Sequence, residues 1–275
     1  DFALWKFSIE SGKRQQEWDS PWGVGFPGWA IECSAMSMKH LGETFDIHIG
    51  GIDNMPIHHI NEIAQSECAT GKKFVNYWLH CAFLVDSSGN KISKSTGGLY
   101  TVSELEDKGY NPVYFRYLCL QTHYRKQLQF SLESLDSVRN AYEKIKRKII
   151  EIAKDKHTGL TDVSNYEKRF LDAINDDFNT SQALEVFWSL LDDADVDSKI
   201  RLKTLAHFDS VLGLGVSKMK ESKLVIPKEV RDLVKKREEQ RKNKDWSGAD
   251  TSRAIIIELG YNIEDTADGQ VVRKI

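Results

Sequence analysis

Apolar residues recur at helical spacing through most of the chain after Thr101, whereas the first hundred residues mix short apolar runs with glycine and proline. The helical patterns lie at about 112–122, 131–157, 164–175, 178–193 and 196–213. Within the second, Glu143–Ile152 alternates Lys/Arg clusters with Ile. That predicts one basic face and one core face, the basic one being either an ordinary solvated surface or a functional one. Asn179-Thr180 ahead of Ala183-Leu184 marks a helix entry, and Pro227, after a loop over 214–226, suits the first turn of another helix. Tyr261–Arg273 predicts a closing hairpin with Asp268-Gly269 at its turn. Before Thr101 the pattern predicts a helix over 30–42, a buried strand over 45–51, a helix over 53–69 and a hairpin at Phe83–Asn90. Residues 1–26, with Trp5, Trp18, Trp22 and a Gly/Pro-rich end, read as a connector whose aromatics pack onto something.

A length of 275 residues predicts roughly two domains with a real core. The net charge of −3 excludes an overtly basic protein, so nucleic-acid binding would use local patches. His123–Phe170 is about four charges net positive and Pro227–Arg253 about three. Cys33, Cys68, Cys81 and Cys119 show no paired spacing, which points to free thiols in a reducing compartment. No apolar run approaches the roughly 20 residues of a membrane span, and no signal-peptide pattern or internal repeat is visible.

The densest candidate chemistry lies in Phe45–Glu62. A strand, a glycine turn at Gly50-Gly51 and a helix bring backbone N–H groups to a helix N-terminus, where a phosphate or ribose can sit. Asp53 would cap that helix or bind a hydroxyl. His58 and Glu62, four apart, share a helix face; His59 and Glu62, three apart, nearly match. One His and one carboxylate are too few for zinc, and the nearest soft ligand is Cys33, near a helix start that would favour its thiolate. A second reading makes His58 a surface residue, Glu62 a solvated one and Cys33 a small core residue. Lys91-Ile92-Ser93-Lys94-Ser95, rimmed by Gly97-Gly98, suits a mobile clamp on a polyanion or is simply solvated. Trp29 is either a pocket wall or a core aromatic, and His80 either a substrate-site residue or a satisfied core His.

These segments together resemble cysteinyl-tRNA synthetase, a class I aminoacyl-tRNA synthetase. That family shows PGWHIECSAM-like, DIHGGGxDLxFPHHENE-like and KMSKS segments in this order; the chain has PGWAIECSAM, DIHIGGIDNMPIHHINE and KISKS. The likeness continues through Tyr77-Trp78-Leu79-His80, Arg116-Tyr117, His123-Tyr124-Arg125, Asp176–Thr180, Lys244-Asp245-Trp246 and Ala249-Asp250. Departures are Ala30 for His, Ile49 for Gly, Ile60 for Glu, Ile92 for Met, and Pro56 one place early. No HIGH-like tetrapeptide and no second zinc-ligating Cys of the family's N-terminal half occurs, so the chain resembles the C-terminal part of a longer synthetase.

The resemblance implies an α/β plus all-α fold: the second half of a Rossmann-like nucleotide-binding domain (1–100), a stem-contact connector (101–135), a helical bundle that binds tRNA (136–222) and a small anticodon-reading subdomain (223–275). It implies a cysteine–tRNA ligase, incomplete as it stands, that activates cysteine with ATP and Mg2+ and charges tRNA(Cys). Lys91 and Lys94 would act on the pyrophosphate, and Gly50, Gly51, Asp53 and Lys94 would hold ATP. Trp29, Trp78 and His80 would line the substrate site. Cys33, His58 and Glu62 would bind one Zn2+ that selects the cysteine thiolate. Arg241, Trp246, Asp250 and Asp265 would meet the tRNA; an exposed Trp beside Arg and Asp suits stacking on an unpaired base and reading its edge. A cytoplasmic monomer without membrane contact is the expected state. A cysteine:amino-sugar ligase of thiol-cofactor synthesis shares the zinc and lysine-loop pattern but lacks a long tRNA-reading tail. A non-catalytic tRNA-binding module is the rival of another class, favoured by the absent HIGH segment and disfavoured by the intact Cys33, His58, Glu62 and Lys94 set.

Overall fold

The computed structural model describes residues 3–8, 14–92, 101–220, 227–266 and 269–274. Near the start, β1 (Trp5–Phe7) pairs antiparallel with β2 (Gly25–Pro27). Of the connector's aromatics, Trp5 and Trp22 meet at 6.4 Å, yet Trp18 and Trp22 remain exposed. The chain then runs through α1 (Trp29–Leu41) into β3 (Phe45–Gly51). α1 starts after Pro27-Gly28, carries Glu32 in its first turn and Lys39 and His40 in its last, and stops at Gly42, whose φ of 96° suits glycine. A 3-10 turn (Ile52–Asn54) and a π turn (Met55–His59) lead into α2 (Ile60–Thr70), which ends on left-handed Gly71. β4 (Val75–Cys81) returns parallel to β3, in a register that sets His48 opposite Trp78 and Gly50 opposite His80.

This β3–α2–β4 crossover is a parallel strand–helix–strand unit, the building block of doubly wound α/β folds. Two expectations change here. The glycines are not a turn: β3 continues through Gly51, and the chain bends only at Ile52. Nor is β3 buried, for Ile47 and Ile49 are exposed. Alternation puts one strand face against α2 and leaves the other uncovered, although parallel sheets are ordinarily covered on both sides.

After β4, β5 (Leu84–Val85) enters a tight turn in which the Asp86 carboxylate accepts from the Ser88 and Asn90 backbone N–H groups. β5 also pairs parallel with β6 (Leu128–Gln129). Between them lie α3 (Val102–Asp107), entered by a Thr101/Glu104 capping box, and α4 (Pro112–Leu120), capped by Asn111 with Pro112 at its first position. The bundle follows as α5 (Leu132–Lys154), α6 (Ser164–Asn175), α7 (Thr180–Asp192) and α8 (Ser198–Leu212). These helices agree with the periodicity to within a few residues, and Asn179 caps α7 as expected. The main core of residues 1–219 sits here. On α5 the buried stripe is Leu135, Val138, Tyr142, Ile145, Ile149 and Ile152, the steps of three and four that one helix face requires.

A second compact unit, Lys220–Ile275, has its own small core of Val230, Ile256, Tyr261 and Ile263. It contains α9 (Lys228–Lys242), α10 (Trp246–Glu258) and the hairpin β7 (Tyr261–Thr266) with β8 (Gly269–Lys274). Gly269 is the first residue of β8 and pairs with Thr266; Asp268, expected at the turn, lies outside the described residues.

Candidate metal and substrate site

α1, the π turn, α2 and the two parallel strands converge on one carboxylate. Glu62 is fully buried in the first turn of α2. Its Oε1 lies 2.8 Å from His58 Nε2 and its Oε2 lies 3.4 Å from His48 Nε2. Neither oxygen is in an aligned hydrogen bond despite these short approaches, so the buried carboxylate keeps acceptor capacity that a cation or a realigned imidazole can use. Donor atoms of Cys33, His58 and Glu62 all lie within 4.8 Å of one another, and so do those of His48, His59 and Glu62. Four-coordinate zinc, with bonds of about 2.0–2.3 Å, holds its donors roughly 3.3–3.8 Å apart. The first set brackets that spacing, with His58 and Glu62 at 2.8 Å and every pair within 4.8 Å, so small side-chain shifts reach it.

The donor set fits a divalent cation on a second ground. Burial alone pushes the Glu62 carboxyl up to about 7. The Cys33 thiol is also raised, by burial first and then by the Glu62 and Glu32 carboxylates. That overturns the expectation of a thiol acidified by its helix: Cys33 stands beyond the first turn of α1, where the dipole has faded. Burial thus disfavours the charged form of both the Glu62 carboxyl and the Cys33 thiol, and a cation held between them would supply the charge that lets each lose its proton and ligate.

The second triad continues outward. His59 Nδ1 lies 2.8 Å from His80 Nε2, and Trp78 packs against both His48 (4.7 Å) and His59 (4.8 Å). His59 is held down to about 4, by burial first and then by the neighbouring imidazoles; His48 is lowered for the same reasons. A Cβ on Gly50 would run into the His59 ring, so the glycine is required by packing in the structure itself. On the other side a pocket of about 310 Å3, lined by Trp29, Ala30, Asp53, Asn54, Ile57 and His58 among others, opens beside the metal group. Trp29 is 76% exposed and meets the His58 ring edge-on at 5.7 Å, which makes it a rim and not a core aromatic.

The structure therefore brings Cys33, His58 and Glu62 together, with Trp29 on one side and Trp78 and His80 on the other. Asp53 and Lys91 are bonded to each other at 3.2 Å, both half exposed, and the Lys91 ammonium sits 3.8 Å over the Phe83 ring. Lys94 lies outside the described residues. In the second unit, Asp265 bridges buried Arg237 (2.8 and 2.9 Å) and Arg241 (3.0 Å), exposed Trp246 stands 5.8 Å from the Arg241 guanidinium, and Asp250 is exposed on α10. His48 went unremarked in the sequence. Its signal was the two-residue alternation that sets it on the same strand face as Gly50.

A family model described as the tRNA synthetases class I (C) catalytic domain matches residues 1–140. The chain is 43% identical over 270 residues to the cysteine–tRNA ligase 1 of Burkholderia lata, covering 98% of this chain and 56% of that protein. It is 41% identical over 290 residues to the cysteine–tRNA ligase of Oenococcus oeni, covering 100% of this chain and 61% of that one. The chain thus spans about three fifths of the length of these relatives. Among solved structures, the LeuRS of Agrobacterium radiobacter K84, in ternary complex with tRNA and LeuAMS, superposes with a TM-score of 0.52 at 12% identity, over 80% of this chain and 34% of that one. At that identity the likeness concerns the fold, which is that of a class I synthetase. The chain belongs to the family of tRNA synthetases of class I (C).

Proposed function

We propose that this chain forms the cysteine-selecting and tRNA-binding part of a cysteine–tRNA ligase. The observation that carries the reading is the convergence of Cys33, His58 and the unpartnered, buried Glu62 beside a pocket rimmed by Trp29. Cys33, His58 and Glu62 would hold zinc, which when bound there would take the substrate sulfur as thiolate and discriminate against the hydroxyl of serine. Shape alone separates such near-isosteres by only about tenfold to a few hundredfold. Trp29 would wall the pocket, and Trp78 and His80 would back it.

The reaction has two steps. The cysteine carboxylate oxygen bonds to the α-phosphorus of ATP and pyrophosphate leaves; the terminal ribose hydroxyl of tRNA(Cys) then takes the cysteinyl group and AMP leaves. Little of this is covalent work for the protein, so positioning and charge stabilisation dominate. Gly50, Gly51 and Asp53 would lie along the adenosine, with Mg2+ accompanying the phosphates. Lys91, with Lys94, would stabilise the charge gathering on pyrophosphate. Its exposed pair with Asp53 is of the weak kind that a polyphosphate can displace. Arg241, Trp246, Asp250 and Asp265 would lie at the anticodon, and the basic side of α5 near the tRNA backbone.

Zinc content and cysteine binding test the reading together. The chain should bind one zinc per molecule and retain cysteine, but not serine, in equilibrium dialysis. Cys33→Ala and His58→Ala should each release the metal and lose cysteine binding. Normal zinc content in both variants would sink the assignment. Charging of tRNA against charging of an amino sugar, with the complementary catalytic segment supplied, separates the ligase from its amino-sugar relative.

A further inference from the structure

The two Glu62 oxygens have different neighbours: Oε1 lies 2.8 Å from His58 Nε2, a member of the set with Cys33, and Oε2 lies 3.4 Å from Nε2 of His48 on β3. The pair is slightly long and not aligned, so a small approach together with a small rotation of the ring or the carboxylate makes it a hydrogen bond. The ring has little freedom to be elsewhere. It meets His59 edge-on at 4.8 Å, tilts over Trp78 at 4.7 Å, and has Phe45 at 5.7 Å. His59 is itself tied to His80, and it approaches the strand where Gly50 has no side chain. The strand thus holds an imidazole rigidly against a carboxylate that belongs to a helix.

We propose that His48 is a positioning residue for the metal centre: it holds Oε2 of Glu62, so that Oε1 is presented to the cation shared with Cys33 and His58. This rests on the metal reading given above. A carboxylate free at both oxygens can rotate, ligate through both, or keep its proton. One fixed by a donor on the distal oxygen is restricted to a single ligating atom. Partners of this kind typically contribute about 10–100-fold to metal affinity. The same position explains why the His48, His59 and Glu62 donors also cluster: they are the outer side of one centre.

The test compares the unaltered chain with His48→Ala, His48→Gln and Cys33→Ala. Zinc dissociation constants come from competition with a chromogenic chelator, and coordination from the absorption of the cobalt-loaded proteins. Melting of the metal-free forms checks folding. The expected result is about 10–100-fold weaker zinc binding in His48→Ala, with the sulfur-to-cobalt charge-transfer band kept and the ligand-field bands shifted. His48→Gln, which keeps a donor toward Oε2, should recover most of the affinity. Unchanged affinity and spectrum in a folded His48→Ala would overturn the inference, as would a folded His48→Gln no better than His48→Ala. If Cys33→Ala binds zinc normally, or the unaltered chain lacks the sulfur band, the metal reading itself fails. If Cys33→Ala loses zinc while His48→Ala does not, only the role of His48 fails.

Discussion

Glu62 and His59 are buried side by side and titrate in opposite senses. The folded chain holds the Glu62 carboxyl near 7 against an ordinary 4.5. Between those values the unfolded chain has lost a proton that the folded one keeps, so stability falls as pH rises. His59 stands near 4 in the fold against an ordinary 6.5. Between those values the unfolded chain holds a proton the fold has shed, so stability rises with pH. From pH 4.5 to 6.5 the two largely offset in the metal-free chain. Glu62→Gln removes the falling contribution. Its stability should therefore rise relative to the unaltered chain by about 2 kcal/mol over that interval. Urea unfolding of both metal-free proteins at several pH values measures this, and parallel pH profiles would contradict it. The convergence of Cys33, His58 and Glu62 was legible in the sequence because His58 and Glu62 are four apart and Cys33 is the soft residue nearest them. The outer imidazoles were not, because their meeting depends on strand register and on the π turn, which sends adjacent His58 and His59 to different sides of Glu62.

Among the elements, the helices were the more readable, since their signal is carried by many residues each. The stripe on α5 runs through six buried residues and fixes both its length and its facing. Ile145→Ala, at a fully buried position, should cost about 2–5 kcal/mol. Arg147→Ala, two residues on and exposed, should cost less than about 0.5 kcal/mol. Chemical denaturation of both compares them directly, and equal costs would mean that α5 is not held by that face. The strands were less readable: a short apolar run such as Phe45–Ile49 looks buried whether or not anything covers its second face. The glycines misled for a related reason. Gly50 is demanded by the His59 ring, a contact across elements that no local pattern announces.

In the molecule as a whole, residues 1–219 and 220–275 each carry a core of their own. In the second unit the Arg237–Asp265 pair ties α9 to β7. Asp265→Asn would leave a buried guanidinium with a weaker partner. The carboxylate is 40% exposed, so the cost should be about 2 kcal/mol, below that of breaking a fully buried pair. Hydrogen exchange across 228–266 reads this locally. Unchanged protection would mean that Asp265 does not brace the unit and is free to act at a ligand. No helix of the described residues is long and apolar enough to cross a membrane. The class I fold was visible in motif order; a separate subdomain over 223–275 was expected from the resemblance alone, because helical periodicity runs on both sides of residue 219.

X-ray absorption at the zinc edge, with cysteine and then with serine, tests the central claim most directly. The account predicts one sulfur among the ligands of the zinc-loaded chain, from Cys33, a second sulfur when cysteine is added, and no change with serine. A zinc shell without sulfur, or one that responds to cysteine and serine alike, would contradict it.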